Sequence, residues 1–341
     1  MPYAVANARG VVMVDVAKRA GVSQKTVSRV VNNAPHVRPG VRDRVMTAIA
    51  ELGYHPNVAA QALARNRTHV IGMLAIASDL YGPARRVFTI EQATRRHGFR
   101  LALASLPDLE RDTVAAGVQD LLGSGVEGIV VEVPNHLVDL DLGRLDLPVV
   151  TSAGRIAGVA RQAVIDTDQA DAARQATNYL LGLGHETVWH LAGPRDWDAA
   201  RKRLTGWRAA LRDAGRRVPP VFYGDWSARA GYQRGLELAR RDDVTAVFAA
   251  NDHMAMGLLR AIAETGRRIP EDISVMGYDN VPEAEFQMVP LTTVGSDESG
   301  TAERMLSELV ALIEGDEPPE AEIDLGFSLI FRRSSGPPPS R

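Results

Sequence analysis

Residues 13–33 read MVDVAKRAGVSQKTVSRVVNN. Two short amphipathic helices are visible in them, joined at Ala20-Gly21-Val22-Ser23. In the first, Val16, Ala17 and Ala20 share a face. Gly21 has no side chain to resist a positive φ and can supply the turn. Ser23 stands where an N-cap belongs, its hydroxyl placed to accept from the open amides of the next helix. In that helix Val27, Val30 and Val31 recur at three- and four-residue spacing, so one face is buried. The opposite face carries Gln24, Lys25, Ser28, Arg29 and Asn32, a surface rich in donors. A helix-turn-helix that lays its second helix in a DNA groove needs this arrangement. Spacing alone leaves an ordinary αα-hairpin equally open.

Working outward, Asn32-Asn33-Ala34-Pro35 breaks the pattern and Arg38-Pro39-Gly40 starts a third helix, with Pro39 tolerated in its first turn. Val41, Val45, Ala48, Ile49 and Leu52 are expected on its buried face, with Gly53 at its end. Residues 12–56 thus form a three-helix head, preceded by a disordered stretch at 1–11. After Tyr54-His55-Pro56, Asn57 is a good N-cap for an Ala-rich segment of about eight residues, a helix too short to hold alone in water. Residues 57–68 are therefore expected to be a hinge helix and linker that orders only when packed on something else.

Charge is unevenly placed. Residues 1–69 hold ten Lys+Arg against three Asp+Glu, a balance of +7, while the remainder holds 29 against 39, a balance of −10. A basic head on an acidic body suits contact with phosphates at one end only. The 341 residues contain no cysteine, which excludes disulfides, thiolate metal sites and a cysteine nucleophile. No apolar run approaches the roughly 20 residues of a membrane span. The start, MPYAVANARG, lacks a basic segment followed by an apolar core, so a cytoplasmic protein with no membrane partner is expected.

From residue 70 the pattern changes. VIGMLAIA at 70–77 is a continuous apolar run, as for a strand buried on both faces. Helical stretches then alternate with short apolar strands, first to about residue 151 and again from about 169 to 278. Two doubly wound parallel-sheet α/β subdomains are implied, with ligands expected beyond the carboxyl ends of their strands. The Ser/Gly/Pro-rich tail, 334–341, reads as disordered.

With these pieces in order, the chain resembles the lactose-repressor (LacI/GalR) family of bacterial transcription regulators over about residues 12–333. The resemblance is carried by DVAKRAGVSQKTVSRVVN, YHPN with its Ala-rich sequel, AGP at 192–194, GDWSA at 224–228, FAANDHMAMG at 248–257, ISVMGYDN at 273–280 and PLTTV at 290–294. It implies an all-α helix-turn-helix head on a periplasmic-binding-protein-like core at 69–333. The N-subdomain would comprise about 69–166 and 296–320, and the C-subdomain about 167–295 and 321–333.

The resemblance further implies a homodimer on a palindromic double-stranded DNA operator. Gln24 and Lys25 fall at the family's main base-reading positions, where Lys reaches guanine acceptors and Gln pairs with adenine. Arg29 projects from the same helix towards base or phosphate. Ser23, Thr26, Ser28 and Asn32 are candidates for phosphate contact. In the hinge, Asn57 and Gln61 are further DNA candidates, and Leu63 matches the leucine that wedges into the minor groove and bends the duplex. Val12 departs from the family, which usually has a capping Thr there.

In the cleft, Arg203, Trp226, Asn251 and Asp279 match effector-contact positions. Their chemistry fits a polyol: Asp accepts from hydroxyls, Arg and Asn donate, and an indole covers the apolar face of a sugar ring. An Arg203–Asp279 salt bridge in an empty cleft is the bland alternative for that pair. Leu80 and Pro83 match the opposite wall, Trp197 lies near the mouth, and Ser296 joins the set. Ala153, Ser296 and Glu298 depart from the lactose repressor or from many sugar-responsive members, so galactoside specificity does not transfer directly.

The expected function is a repressor released from its operator by a small sugar, with a β-galactoside as the first guess. The alternatives are a co-repressor-dependent regulator sensing a nucleoside or other metabolite, and a sugar-binding protein or enzyme without a regulatory role. No acid–nucleophile pair, Gly-rich phosphate loop, HExxH or Gly-x-Ser-x-Gly is present. Neither enzyme activity nor a cofactor or metal is expected.

Overall fold

A computed structural model describes residues 11–32, 34–55, 67–133, 142, 145–152 and 154–340. Asn57, Gln61 and Leu63 of the expected hinge, the expected N-terminal disorder over 1–10, and Ala153 lie outside the described residues. The chain divides into two compact units, Met1–Thr68 and His69–Arg341.

The first unit is built from α1 (Met13–Ala20), α2 (Gln24–Val31) and α3 (Pro39–Leu52). Val16, Val27 and Val45 are wholly buried in its core, joined by Ala17, Ala20, Val30, Ala48 and Tyr54. Gly21 closes α1 at φ 63°, a backbone setting that suits glycine. Val31, Ile49 and Leu52 pack only partly, and Val41, in the first turn of α3, is half-buried outside this cluster. Val12 offers α1 no side-chain cap. Asp15 compensates from the third helical position: its carboxylate accepts the Val12 N–H at 3.0 Å and puts negative charge at the positive end of the helix.

The second unit starts with β1 (Val70–Ile76), α4 (Tyr81–Arg96), β2 (Arg100–Leu106), α5 (Arg111–Gly123), β3 (Gly128–Glu132), β4 (Val149–Thr151) and β5 (Gln162–Asp166). It continues through α6 (Gln169–Gly182), β6 (Trp189–Ala192), α7 (Asp198–Asp213), β7 (Phe222–Tyr223), α8 (Ala228–Ala239) and β8 (Ala246–Ala249). The last elements are α9 (Asp252–Glu264), β9 (Ser274–Tyr278), β10 (Thr292–Gly295), α10 (Glu298–Glu314), β11 (Ile323–Asp324) and β12 (Ser328–Ile330).

Two six-stranded sheets result, ordered β11-β5-β4-β3-β1-β2 and β12-β10-β9-β8-β6-β7. Among the described residues all pairings are parallel except β10 with β12. In β1, Ile71, Met73 and Ala75 enter one core with Ile90 and Leu309, while Val70 and Leu74 enter another with Val118 and Leu121. The two-residue period of a strand thus feeds a packed layer on each side, which is why β1 reads as unbroken apolar sequence. In the second lobe α8 and α9 approach backbone to backbone, because a Cβ at Gly257 would strike the Ala228 carbonyl and one at Gly231 the Met254 carbonyl.

The chain crosses between lobes three times: from β5 to α6, from β10 to α10, and from β11 to β12. The last crossing corrects the expected subdomain limits. Residues 321–333 do not all belong to the second lobe, because Ile323 and Asp324 pair with Ile165 and Asp166 in the first sheet. Such a two-residue strand carries no readable period.

The expected disorder of the tail also needs correction. Ser334 is wholly buried; its hydroxyl donates to the Val275 carbonyl at 2.6 Å and accepts from the Thr292 N–H at 2.7 Å. Gly336 N–H donates to Ser274 Oγ at 3.0 Å, and its carbonyl lies 2.9 Å from His185 Nε2. A polar composition gives no apolar pattern to anchor a segment, but here hydrogen bonds to buried groups hold it.

Candidate functional site

On α2, Ser23 is the N-cap, accepting from the Thr26 N–H at 3.2 Å while the two hydroxyls lie 2.9 Å apart. Asn32 donates to Ser28 Oγ at 3.3 Å, and Arg29 donates to the Pro35 carbonyl at 3.4 Å. These groups order their own helix end. Gln24 and Lys25 stand exposed at its start and make no hydrogen bond or ion pair among the described residues. The two side chains best placed to read an outside surface therefore sit together on the first turn.

Within the second unit a cavity of about 430 Å³ lies between the two lobes. Its lining includes all eight effector candidates: Leu80, Pro83, Trp197, Arg203, Trp226, Asn251, Asp279 and Ser296. Leu80 and Tyr81, from the first lobe, pack against the hydrophobic core of the second. The Tyr81 ring lies 5.7 Å from that of His253 on α9, so the two lobes touch beside the cavity.

One wall is organised by Arg203 on α7. Its Nε donates to Gln169 Oε1 at 2.8 Å, Nη1 donates to the Ala250 carbonyl, and Nη2 reaches Asp279 Oδ1 at 3.4 Å. The guanidinium carbon lies 3.5 Å from the Tyr278 ring centroid. The salt bridge is therefore present, and the pair also faces the cavity. Burial pushes the Asp279 carboxyl up to about 6; Arg203 opposes the rise and Glu298 adds to it. Asp279 has φ 105° and Trp226 φ 74°, left-handed settings that L residues adopt at a cost.

Trp226 is held in that setting from several sides. Asp225 Oδ1 accepts from the Ser227 N–H at 2.9 Å and from its hydroxyl at 2.6 Å. Asn251 Nδ2 donates to the Trp226 carbonyl at 3.0 Å. The indole lies against Gly193, where a Cβ would strike the ring, and meets Trp197 edge-on at 5.6 Å. Asn251, expected to face ligand, spends its oxygen capping α9 at Met254 N–H, 2.9 Å away. Trp226 Nε1 and Tyr278 Oη are buried without a hydrogen-bond partner among the described residues.

Sequence reasoning missed much of the remaining polar lining. Lys202 bridges Asp166 at 2.8 Å and Asp198 at 3.1 Å, linking the end of β5 to α7. Arg86 on α4 pairs with Glu298 at 3.0 Å and lies 3.8 Å from Glu132. Asp166 carried a usable signal, a carboxylate at the carboxyl end of a strand, but β5 itself went unrecognised. Arg86 sits in a run of helix-forming residues that gives no such signal.

Residues 12–57 match the family described as bacterial regulatory proteins, lacI family, and residues 177–335 match a periplasmic binding protein-like domain. The lactose operon repressor of Escherichia coli (strain K12) is 33% identical over 331 residues, 95% of this chain and 91% of that protein. The HTH-type transcriptional regulator CelR of Thermobifida fusca is 35% identical over 335 residues, 94% of this chain and 96% of that protein. A solved structure of the Lac repressor dimer bound to operator and the anti-inducer ONPF is 31% identical and fits with a TM-score of 0.85, covering 96% of this chain and 100% of that chain.

Fold and site together define a helix-turn-helix protein with a two-lobed small-molecule-binding core. The chain belongs to the lacI family of bacterial regulatory proteins.

Proposed function

We propose that this chain is a transcriptional repressor that binds a palindromic operator as a homodimer and is released by a neutral sugar held in the cavity. The observation that carries the effector reading is the Asp279–Arg203 pair beside the Trp226 indole, in a cleft between the lobes whose Trp226 N–H and Tyr278 hydroxyl lack partners among the described residues. A sugar offers hydroxyls that both donate and accept, and a ring face that an indole covers. Gln24, Lys25 and Arg29 would contact base edges or phosphate, with Ser23, Thr26, Ser28 and Asn32 positioning the helix. Asn57, Gln61 and Leu63 would extend the contact through the hinge. Phe286, 81% exposed, and Met288, fully exposed, offer an apolar face for the second copy.

The named relatives carry different names, so the reading of the effector class rests on this chain's own cavity. A β-galactoside is one member of that class. Operator binding is tested by fluorescence anisotropy on a palindrome selected from random DNA. Lactose and cellobiose are then titrated with and without that DNA. Linkage requires DNA to lower sugar affinity by the factor by which sugar lowers DNA affinity. Sugar affinity that ignores the operator would sink the mechanism. Tighter operator binding on adding a nucleoside would instead mark a co-repressed system.

A further inference from the structure

Asp279 and Asn280 follow β9 with φ of 105° and 52°, two successive non-glycine residues in left-handed settings. Such settings are costly for L residues and persist only where the surroundings fix them. Here three elements hold three successive residues. The Asp279 N–H donates to the Val294 carbonyl of β10 at 2.8 Å. The Val281 N–H donates to Oδ2 of Asp252, at the start of α9, at 2.9 Å. The other oxygen of that buried carboxyl accepts from the Thr293 hydroxyl at 2.6 Å. Between them, the Asn280 side chain is held by Arg332, whose Nη2 donates to Asn280 Oδ1 at 2.9 Å.

Arg332 lies just after β12 and is itself firmly seated. Its N–H donates to Thr292 Oγ1 at 3.0 Å, and its Nη1 donates to the Leu291 carbonyl at 2.8 Å. The next two N–H groups, of Arg333 and Ser334, both donate to the Pro290 carbonyl at 3.0 Å. The guanidinium therefore spans the chain entering β10 and the loop leaving β9. Two donors set apart in one rigid plane suit that span, which a single ammonium does not match. Neither Arg332 nor Asn280 lines the cavity, whereas Asp279 does. Asp279 meets Arg203 at 3.4 Å, the long end of a hydrogen bond, so a small turn of the 279–280 backbone would break that contact.

We infer that Arg332 is a positioning residue for the effector: by holding Asn280 it fixes the strained backbone that aims the Asp279 carboxylate at Arg203 and the cavity. The segment after β12 thereby governs sugar affinity without touching the sugar. This rests on the sugar reading of the cavity.

The test titrates the full chain, by its tryptophan fluorescence, with lactose and with cellobiose. Arg332→Met removes both donors and keeps the stem, and should cost the better-bound sugar about tenfold in affinity. Operator binding without sugar should be unchanged, which shows that the variant is folded. Arg332→Lys should recover part of the loss. Asn280→Ala should cost as much as Arg332→Met, and the two together no more than either alone. The deciding measurement repeats Arg332→Met in an Asp279→Asn chain, where the aimed carboxylate is already gone. There it should change sugar affinity by no more than about twofold. A general loosening of the lobe would lower affinity alike in both backgrounds. The full loss in Asp279→Asn, losses that add between Arg332 and Asn280, or an affinity unmoved by Arg332→Met overturns the positioning role and leaves the sugar reading standing. An unaltered chain that binds neither sugar overturns the sugar reading and the positioning role with it.

Discussion

The side-chain amide of Asn251 joins two structures: its nitrogen holds the Trp226 carbonyl at 3.0 Å, and its oxygen caps α9 at 2.9 Å. The strained Trp226 backbone is thereby tied to a helix terminus. Asn251→Asp keeps the capping acceptor and loses the donor, so the melting temperature should move little while sugar affinity falls. Asn251→Ala should lower both, with about 1 kcal/mol for the cap alone. Circular dichroism melts and fluorescence titration separate the two. Unchanged sugar affinity in Asn251→Asp refutes the clamp.

Gly193 offers a second approach to the same indole. A methyl there meets the Trp226 ring. Gly193→Ala should cost about 1–3 kcal/mol through overpacking and weaken sugar binding without touching ligand, leaving operator binding intact. Wild-type sugar affinity in this variant would show that the ring is free to shift.

Two carboxyls, the buried Asp252 and the partly buried Asp279, set a pH dependence. Burial lifts Asp279 to about 6 and lifts Asp252 to about 8, the latter aided by Asp279. Both hold a proton more tightly in the folded chain than in the unfolded one. Their contribution to stability is therefore complete below about pH 4 and is lost as pH rises through about 6 and then about 8. Sugar binding runs the other way, since hydroxyls donate best to ionised Asp279, so affinity should fall as pH drops below about 6. Asp279→Asn should bind weakly at every pH. A titration flat between about pH 5 and 7 would refute Asp279 as the titrating contact.

Lys25 stands exposed on the first turn of α2. Lys25→Ala should relax base preference at one position per half-site, at about 1–3 kcal/mol. Competition among half-site variants reads this directly. Equal weakening on all sequences would make Lys25 a phosphate contact.

Met288 and Phe286 are the most exposed large apolar side chains among the described residues. A Phe286→Asp, Met288→Asp double variant should shift sedimentation from dimer towards monomer and weaken operator binding, with the melting temperature little changed. A dimer that persists would move the interface elsewhere.

Legibility followed length and period. The head could be read because Gly21, Ser23 and the valine spacing each point to one turn, and β1 because its apolar run is unbroken over seven residues. The cavity residues recognised beforehand sit in motifs at strand ends. Asp166 is hidden because the five residues of β5 look like loop without the neighbours that β4 and β11 supply, and Lys202, on α7, gives no signal without that partner. Ser334 was lost because one buried hydroxyl leaves no pattern. The Arg86–Glu132 relationship joins residues 46 positions apart, through a fold that had first to be assembled.

The crossings between the lobes carry a mechanical consequence. Asp166 ends one crossing strand, Ser296 lies in another crossing, and both line the cavity. An occupant sits beside the fulcrum, where the lever arm is short. If the lobes turn about these crossings, a small displacement there would be amplified at the far rim of a lobe. Placement at the crossings would set how far the rim travels, while the ligand's differential affinity for the two lobe arrangements would set how much of the population moves.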